Sequence, residues 1–378
     1  SGIRLGAYPG CRVLAAKDGQ VFYDKSFGTL DYRSGEEVTS STLYDVASIT
    51  KVVSTTLCVM KLYEEGKLDV NSTLGSYLDI PAENDYHDIV IRDMMSHCAG
   101  LVPWIPFWQS TMENGKPDTA LYRTSPADHF SAQVADDLYL LDSYRDSIMT
   151  RILATPVSAD HNYRYSDLGY YFLQRIIEKI TGKGLDEYVA ETYYRPMGLF
   201  NTGYRPLDWA TEDRIAPTED DHNFRGSELR GYVHDQGAAM QNGVAGHAGI
   251  FSTAQDIAAI MQMLLNGGEY AGQKFLTSET IDYFTTAHYA GNRRGIGFDK
   301  PAMSPGSGPT CPQASLAGFG HTGFTGTMCW ADPDSGIVFV FLSNRVHPNA
   351  DNKKLQDLNI RTEIQEELYN AFGISPRD

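Results

Sequence analysis

Apolar positions change rhythm along the chain: strand-like at first, then helical, then strand-like again, with a last helical stretch. Residues 10–33 read as a β-hairpin. Cys11-Arg12-Val13-Leu14-Ala15-Ala16 is the outgoing strand, Lys17-Asp18-Gly19-Gln20 the turn, and Val21-Phe22-Tyr23 starts the return. Two strands do not stand alone, so the hairpin needs more sheet or a packed helix. The segment Ile49 to Glu65 carries Val52, Val53, Leu57, Val59, Met60 and Leu62, apolar nearly all round, which predicts a buried helix ended by Gly66.

Helical patterns recur over Ile89–Ser96, Ser125–Leu141, Ser143–Leu153 and Asp167–Thr181, the last entered through an Asp cap. A loop rich in aromatics, with Trp104, Phe107 and Trp108, spans Val102 to Tyr122 and either shapes a site or packs over a core. Another helix runs from Thr253 to Leu265. Short β-rich runs follow at Gly295–Phe298, Leu316–His321, Gly326–Ala331 and Ile337–Ser343, and a final helix covers Asn352–Phe372. The simplest assembly is α+β. Residues 1–70 with 240–378 form an α/β sandwich around one antiparallel sheet, 71–239 form a mainly helical insertion lobe, and a cleft between them holds the site.

The 378 residues, 42% hydrophobic and 21% charged, suffice for a large core. A net charge of -17 disfavours nucleic acid and anionic membrane surfaces as partners. No run of about 18 apolar residues is present to span a bilayer. The five cysteines show no zinc-site or CxxC spacing and read as small buried hydrophobes. The abrupt opening on Ser1-Gly2-Ile3-Arg4 fits an intracellular protein or a trimmed piece of something longer.

Three short motifs carry candidate chemistry. Ser48-Ile49-Thr50-Lys51 is a Ser-x-x-Lys, which on a helix brings the Lys51 amine to the Ser48 hydroxyl; desolvation would help that amine accept the serine proton. Alone, such a spacing occurs by chance about once in a chain of this size. Tyr165-Ser166-Asp167 opens a helix, either as a phenol directed into the cleft or as a core tyrosine beside a capping aspartate. His321-Thr322-Gly323 follows a strand, and Gly323 lets a substrate approach the backbone closely. The N–H of Phe324 then pairs with that of Ser48 as an oxyanion hole, unless the run is an ordinary strand-to-turn sequence.

The order of the three motifs resembles the β-lactamase and penicillin-binding-protein superfamily, closest to class C β-lactamases and related serine hydrolases, over nearly the whole chain. Met94-Met95-Ser96-His97-Cys98-Ala99-Gly100-Leu101 and Gly246-His247-Ala248-Gly249-Ile250-Phe251-Ser252-Thr253-Ala254 look familiar from the same family. The resemblance implies that Ser48 is acylated, that Lys51 and Tyr165 act together as base and then acid, and that Ser48 and Phe324 hold the oxyanion. It implies no metal or organic cofactor.

Two positions depart from the family pattern. Asp167 stands where β-lactamases carry Asn, and an ionised Asp cannot donate to a substrate carbonyl. His321 stands where they carry Lys, a stronger attractor of a carboxylate. Both fit esterases, D-aminopeptidases and weak DD-carboxypeptidases better than efficient β-lactamases. In Ser343-Asn344-Arg345, Asn344 and Arg345 are further substrate-binding candidates; Arg345 is a carboxylate anchor or a surface arginine at a strand end. His234 and His247 face the cleft or are structural. The runs Ala216-Pro217-Thr218-Glu219 and Gly231-Tyr232-Val233-His234-Asp235 resemble a penicillin-binding-protein-like subgroup, and similar domains also follow a glycosidase domain. By that analogy the expected partner is a small-molecule or peptidoglycan-derived substrate, and the expected place is the cell envelope, periplasm or exterior.

Overall fold

The hairpin forms where the Asp-Gly turn places it. β1 (Gly10–Lys17) and β2 (Gln20–Gly28) pair antiparallel, and Asp18 and Gly19 both take positive φ, as a tight hairpin turn requires. This is a computed structural model, and it describes residues 1–377. Three late strands complete the sheet: β3 (Phe319–Gly323), β4 (Thr327–Asp332) and β5 (Ile337–Ser343). The order is β3-β4-β5-β1-β2, antiparallel throughout, with Cys11 opposite Ser343 and Lys17 opposite Ile337. The two ends of the chain thus share one sheet.

Both faces of that sheet are covered, which explains why β5 is an unbroken apolar run. Phe339 and Phe341, with Val13, Met328 and Trp330, pack beneath Leu355, Ile360 and Leu368 near the C-terminus. Val338, Val340 and Leu342 turn to the opposite face, into the main core. Each such side chain contributes about 1.5–3 kcal/mol by leaving water. The helices that matter for the site are α1 (Thr56–Glu64), α2 (Leu168–Thr181), α3 (Ala254–Leu265) and α4 (Ile360–Asn370). α3 lies across β4, β5 and β1, entered through Thr253, whose side chain accepts from the Asp256 N–H.

Several expected elements take another form. The helix predicted from Ile49 to Glu65 is composite: a 3₁₀ turn at Ala47–Ile49, a π turn at Lys51–Thr55, then α1. Side chains inside the π turn are tied outward, Ser54 to Tyr204 and Thr55 to the Gly246 carbonyl, as expected where a helix is widened at a working site. Gly66 ends it with φ +67.

No helix forms over Ser125–Leu141. Ala132–Ala135 and Leu138–Leu140 are strands there, paired in one small sheet with Tyr122–Arg123, because Ala132, Val134, Leu138 and Leu140 are buried on a period of two around the Asp136-Asp137 turn. Gly295–Phe298 closes a turn instead of a strand, with Gly297 at φ +87. The last helix is split into Lys354–Asp357 and α4 by Asn359, which is left-handed.

Among the described residues no helix is long and apolar enough to cross a membrane. All five cysteines are free and buried. A thiol reagent added to the native protein is therefore expected to find essentially none of them, and to titrate all five once the chain is unfolded.

Candidate active site

The nucleophile candidate sits on a constrained turn. Ala47, directly before Ser48, has φ +49, a conformation that costs about 1–3 kcal/mol and persists only when its surroundings impose it. The Asp45 carboxylate imposes it by accepting from the Ala47 and His234 N–H groups at 2.8 and 2.7 Å. The turn after β3 adds two ties: Thr325 donates to the Asp45 carbonyl and Thr327 to that of Val46. Gly323 belongs to the same junction. A Cβ there would lie 2.1 Å from Thr327 Oγ1 and 2.4 Å from the Val46 carbonyl. The close approach that demands glycine is therefore between protein segments, whereas the sequence pointed to a substrate.

Ser48, Lys51, Tyr165 and Asp167 meet at one point. Lys51 Nζ donates to Ser48 Oγ at 2.9 Å and to the His247 carbonyl at 3.1 Å, and the Tyr165 hydroxyl donates to Ser48 Oγ at 2.9 Å. Lys51 is fully buried and lies 2.7 Å from Asp167 Oδ1. Asp167 precedes α2 but makes no cap with its side chain; the carboxylate goes to Lys51 instead. Burial opposes the charge on Lys51, yet the Asp167 carboxylate, together with Tyr165, holds its pKa above the ordinary lysine value. The expectation that desolvation would leave Lys51 readily deprotonated is thus reversed. Burial also raises the Tyr165 phenol, against the pull of the Lys51 charge.

The wall beyond Tyr165 is built around neutral imidazoles. Burial, followed by the charges of Arg294 and Lys51, lowers His321 to about 3. Its Nδ1 lies 2.7 Å from the Thr322 carbonyl, which only accepts, so the proton resides there and Nε2 accepts from Arg294 Nη1 at 3.0 Å. Arg294 is buried, pairs with Asp299 at 3.2 Å, and stands 5.1 Å from the Tyr165 ring. A fixed cation therefore lies behind His321, supplied from another segment. His97, its ring 4.3 Å from that of Tyr165, is likewise kept neutral, by burial and then by Arg294.

Ser48, Tyr165, Asp167, Arg294 and His321 line a cleft of about 730 Å³ that also takes in Thr322, Gly323, Phe324, Trp104, Tyr163 and Arg361. Phe324 is half exposed at its mouth. His234 and His247 line the cleft too, and each is engaged by a carboxylate, Glu219 at 2.9 Å and Asp235 at 2.7 Å.

Asn344 and Arg345 lie elsewhere. Asn344 is buried and donates to the Leu30 and Pro217 carbonyls at 2.7 and 2.8 Å. Arg345 is neither a surface residue nor a free anchor: it is 2% exposed and donates to the carbonyls of Phe324, Ala350 and Asn352. It sits under the Phe324 ring and fixes that loop. Besides Arg294, which is paired with Asp299, the cation that lines the cleft is Arg361, on α4. It donates to the Thr327 carbonyl and has no carboxylate partner among the described residues, and burial lowers it to about 10. Arg294 and Arg361 carried no motif to reveal them, and His97 stood in the run Met94–Leu101 with no role assigned to it; only the folded chain brings all three here.

The model of the family described as Beta-lactamase matches residues 4–362. The chain belongs to the β-lactamase family. An Escherichia coli (strain K12) protein named "Putative D-alanyl-D-alanine carboxypeptidase" is 33% identical to this member, over 92% of this chain and 81% of that protein. A penicillin-binding-protein homologue from Caulobacter crescentus has the same fold, with a TM-score of 0.65 at 19% identity over 91% of each chain. So does EstCE1, described as a hydrolase with promiscuous acyltransferase activity, with a TM-score of 0.68 at 20% identity over 97% of this chain and 95% of that one.

Arg345→Met is expected to act on the fold. It strands three carbonyls, so chemical denaturation should register a loss of about 1–3 kcal/mol, whereas a lost anchor would leave stability unchanged.

Proposed function

We propose that this member of the β-lactamase family is a serine hydrolase that works through an acyl-enzyme on Ser48. The observation that carries the reading is the convergence of two donors, Lys51 and Tyr165, on Ser48 Oγ inside a cleft. Attack forms the bond from Oγ to the carbonyl carbon, and the serine proton passes through the Lys51–Tyr165 pair to the leaving group. Water then repeats the sequence and releases the acid. The N–H groups of Ser48 and Phe324 hold the oxyanion, and His321-Thr322-Gly323 forms one wall.

The proposed substrate is a D-amino-acid peptide, a β-lactam or an ester, with peptidoglycan-derived material as its source and the cell envelope as its place. Support comes from Arg361, a cation without a carboxylate of its own, and from the carboxypeptidase name of the E. coli relative. Asp167 favours esters and D-amino-acid peptides over β-lactams, because its carboxylate meets a substrate carbonyl as a second acceptor. A second reading, a module that captures penicillin or peptidoglycan fragments without turnover, is favoured by one observation: Lys51 is held as an ammonium beside Asp167.

Intact-mass analysis after a fluorophosphonate is expected to show one adduct on the wild type and none on Ser48→Ala; an unlabelled wild type overturns both readings. Turnover of an activated ester that is lost in Ser48→Ala selects the hydrolase, and a stable adduct without turnover selects the binding module. Arg361→Ala is expected to raise KM about tenfold or more for substrates bearing a carboxylate, and to leave neutral esters unaffected.

A further inference from the structure

Ser48 Oγ accepts from two protonated groups, and neither is free to take its proton. Lys51 donates to it as an ammonium, and Tyr165 donates to it as a phenol. Acylation therefore waits until one of the two has lost its own proton. Asp167 bears on that wait because its carboxylate lies 2.7 Å from the buried Lys51 amine.

The remaining groups facing the pair offset it only in part. Lys51 looks onto Ser48, Tyr165, Asp167, the Tyr170 ring at 5.3 Å and the His247 carbonyl. Beyond Tyr165 stand His97 and His321, both neutral, and Arg294, whose charge Asp299 partly answers. Asp167 is thus the anion in direct contact with the machinery. Its Oδ1 is fully covered while the side chain as a whole keeps 20% exposure, so the carboxylate stays partly solvated.

We infer that Asp167 restrains the Ser48 nucleophile at neutral pH, and that putting back the asparagine of the related enzymes would release it. The inference rests on the serine-hydrolase reading above and concerns its rate and pH range. The direction holds whether Lys51 or Tyr165 takes the serine proton. An anion beside them stabilises the ammonium and opposes the phenolate, so in both cases the proton-accepting form appears at higher pH. An opposite charge this close moves a pKa by about 1–3 units. Each unit recovered returns roughly three- to tenfold in rate at neutral pH, less than the full tenfold because a less basic group pulls the proton less strongly.

The test is the pH profile of kcat/KM on a neutral activated ester, which has no carboxylate for Arg361 and no acylamide for Asp167. The wild type is expected still to be rising between about pH 7 and 9. Asp167→Asn is expected to move the acidic limb down by about one unit or more and to raise the neutral-pH value at least about threefold, while Asp167→Glu keeps the wild-type limb. A wild-type profile already flat by about pH 7 overturns the inference, and that measurement needs no variant. So does an Asn variant whose limb stays in place or moves up, since an upward move would make Asp167 a carrier of the proton. Labelling of Ser48 by a fluorophosphonate separates the two levels. If wild type and Asp167→Asn are both labelled and their limbs coincide, the inference alone fails. If neither is labelled, the hydrolase reading fails with it.

Discussion

The site depends on one buried amine. Lys51 reaches the Ser48 hydroxyl, the His247 carbonyl and the Asp167 carboxylate at once, and so ties together the nucleophile turn, the segment before α3 and the start of α2. A lone ammonium in that position would cost many kcal/mol in lost hydration. Three oxygens and two flanking tyrosine rings repay the cost. What the arrangement does not contain is a ready base, and this separates it from a site in which the lysine is merely desolvated.

Charge on the opposite wall is handled by relocation. On the strand this chain has an imidazole, His321, that stays neutral and receives a hydrogen bond from Arg294 behind it. The positive charge behind His321 therefore belongs to a guanidinium that does not titrate at any working pH. Arg345 contributes from below, by holding the loop of Phe324 through backbone carbonyls. Among the described residues, Arg345 thus shapes the backbone, Arg294 and Lys51 are each answered by a carboxylate, and Arg361 faces the cleft without a carboxylate partner.

The sheet was legible in the sequence because its strands carry strong marks: an Asp-Gly turn for β1 and β2, and an unbroken apolar run for β5. Ser48, Lys51 and Tyr165 could be grouped because three short motifs occur in a telling order. The strands near Ala132 and Leu138 were hidden, since a few buried positions over a short stretch fit a helical period nearly as well as a period of two. The partner of Asp167 was hidden for another reason. At a helix start an aspartate is read as a cap, and only tertiary packing reveals a lysine more than a hundred residues earlier as the stronger claim on it. Arg294 and Arg361 lie in stretches where nothing local marks one arginine as different from another.

The shared sheet has a consequence for how the molecule comes into being. β1 needs β5 on one side, and the two lie more than 300 residues apart in the chain. A ribosome adding about 5–20 residues per second takes on the order of tens of seconds to cover that distance. Through that interval the hairpin has an unpaired apolar edge and cannot be stable alone. The nucleophile turn, pinned by Thr325 and Thr327, waits equally long. The geometry of the candidate site is therefore among the last things the growing chain acquires, and a chain stopped before residue 337 would carry Ser48, Lys51 and Tyr165 without the completed sheet behind them.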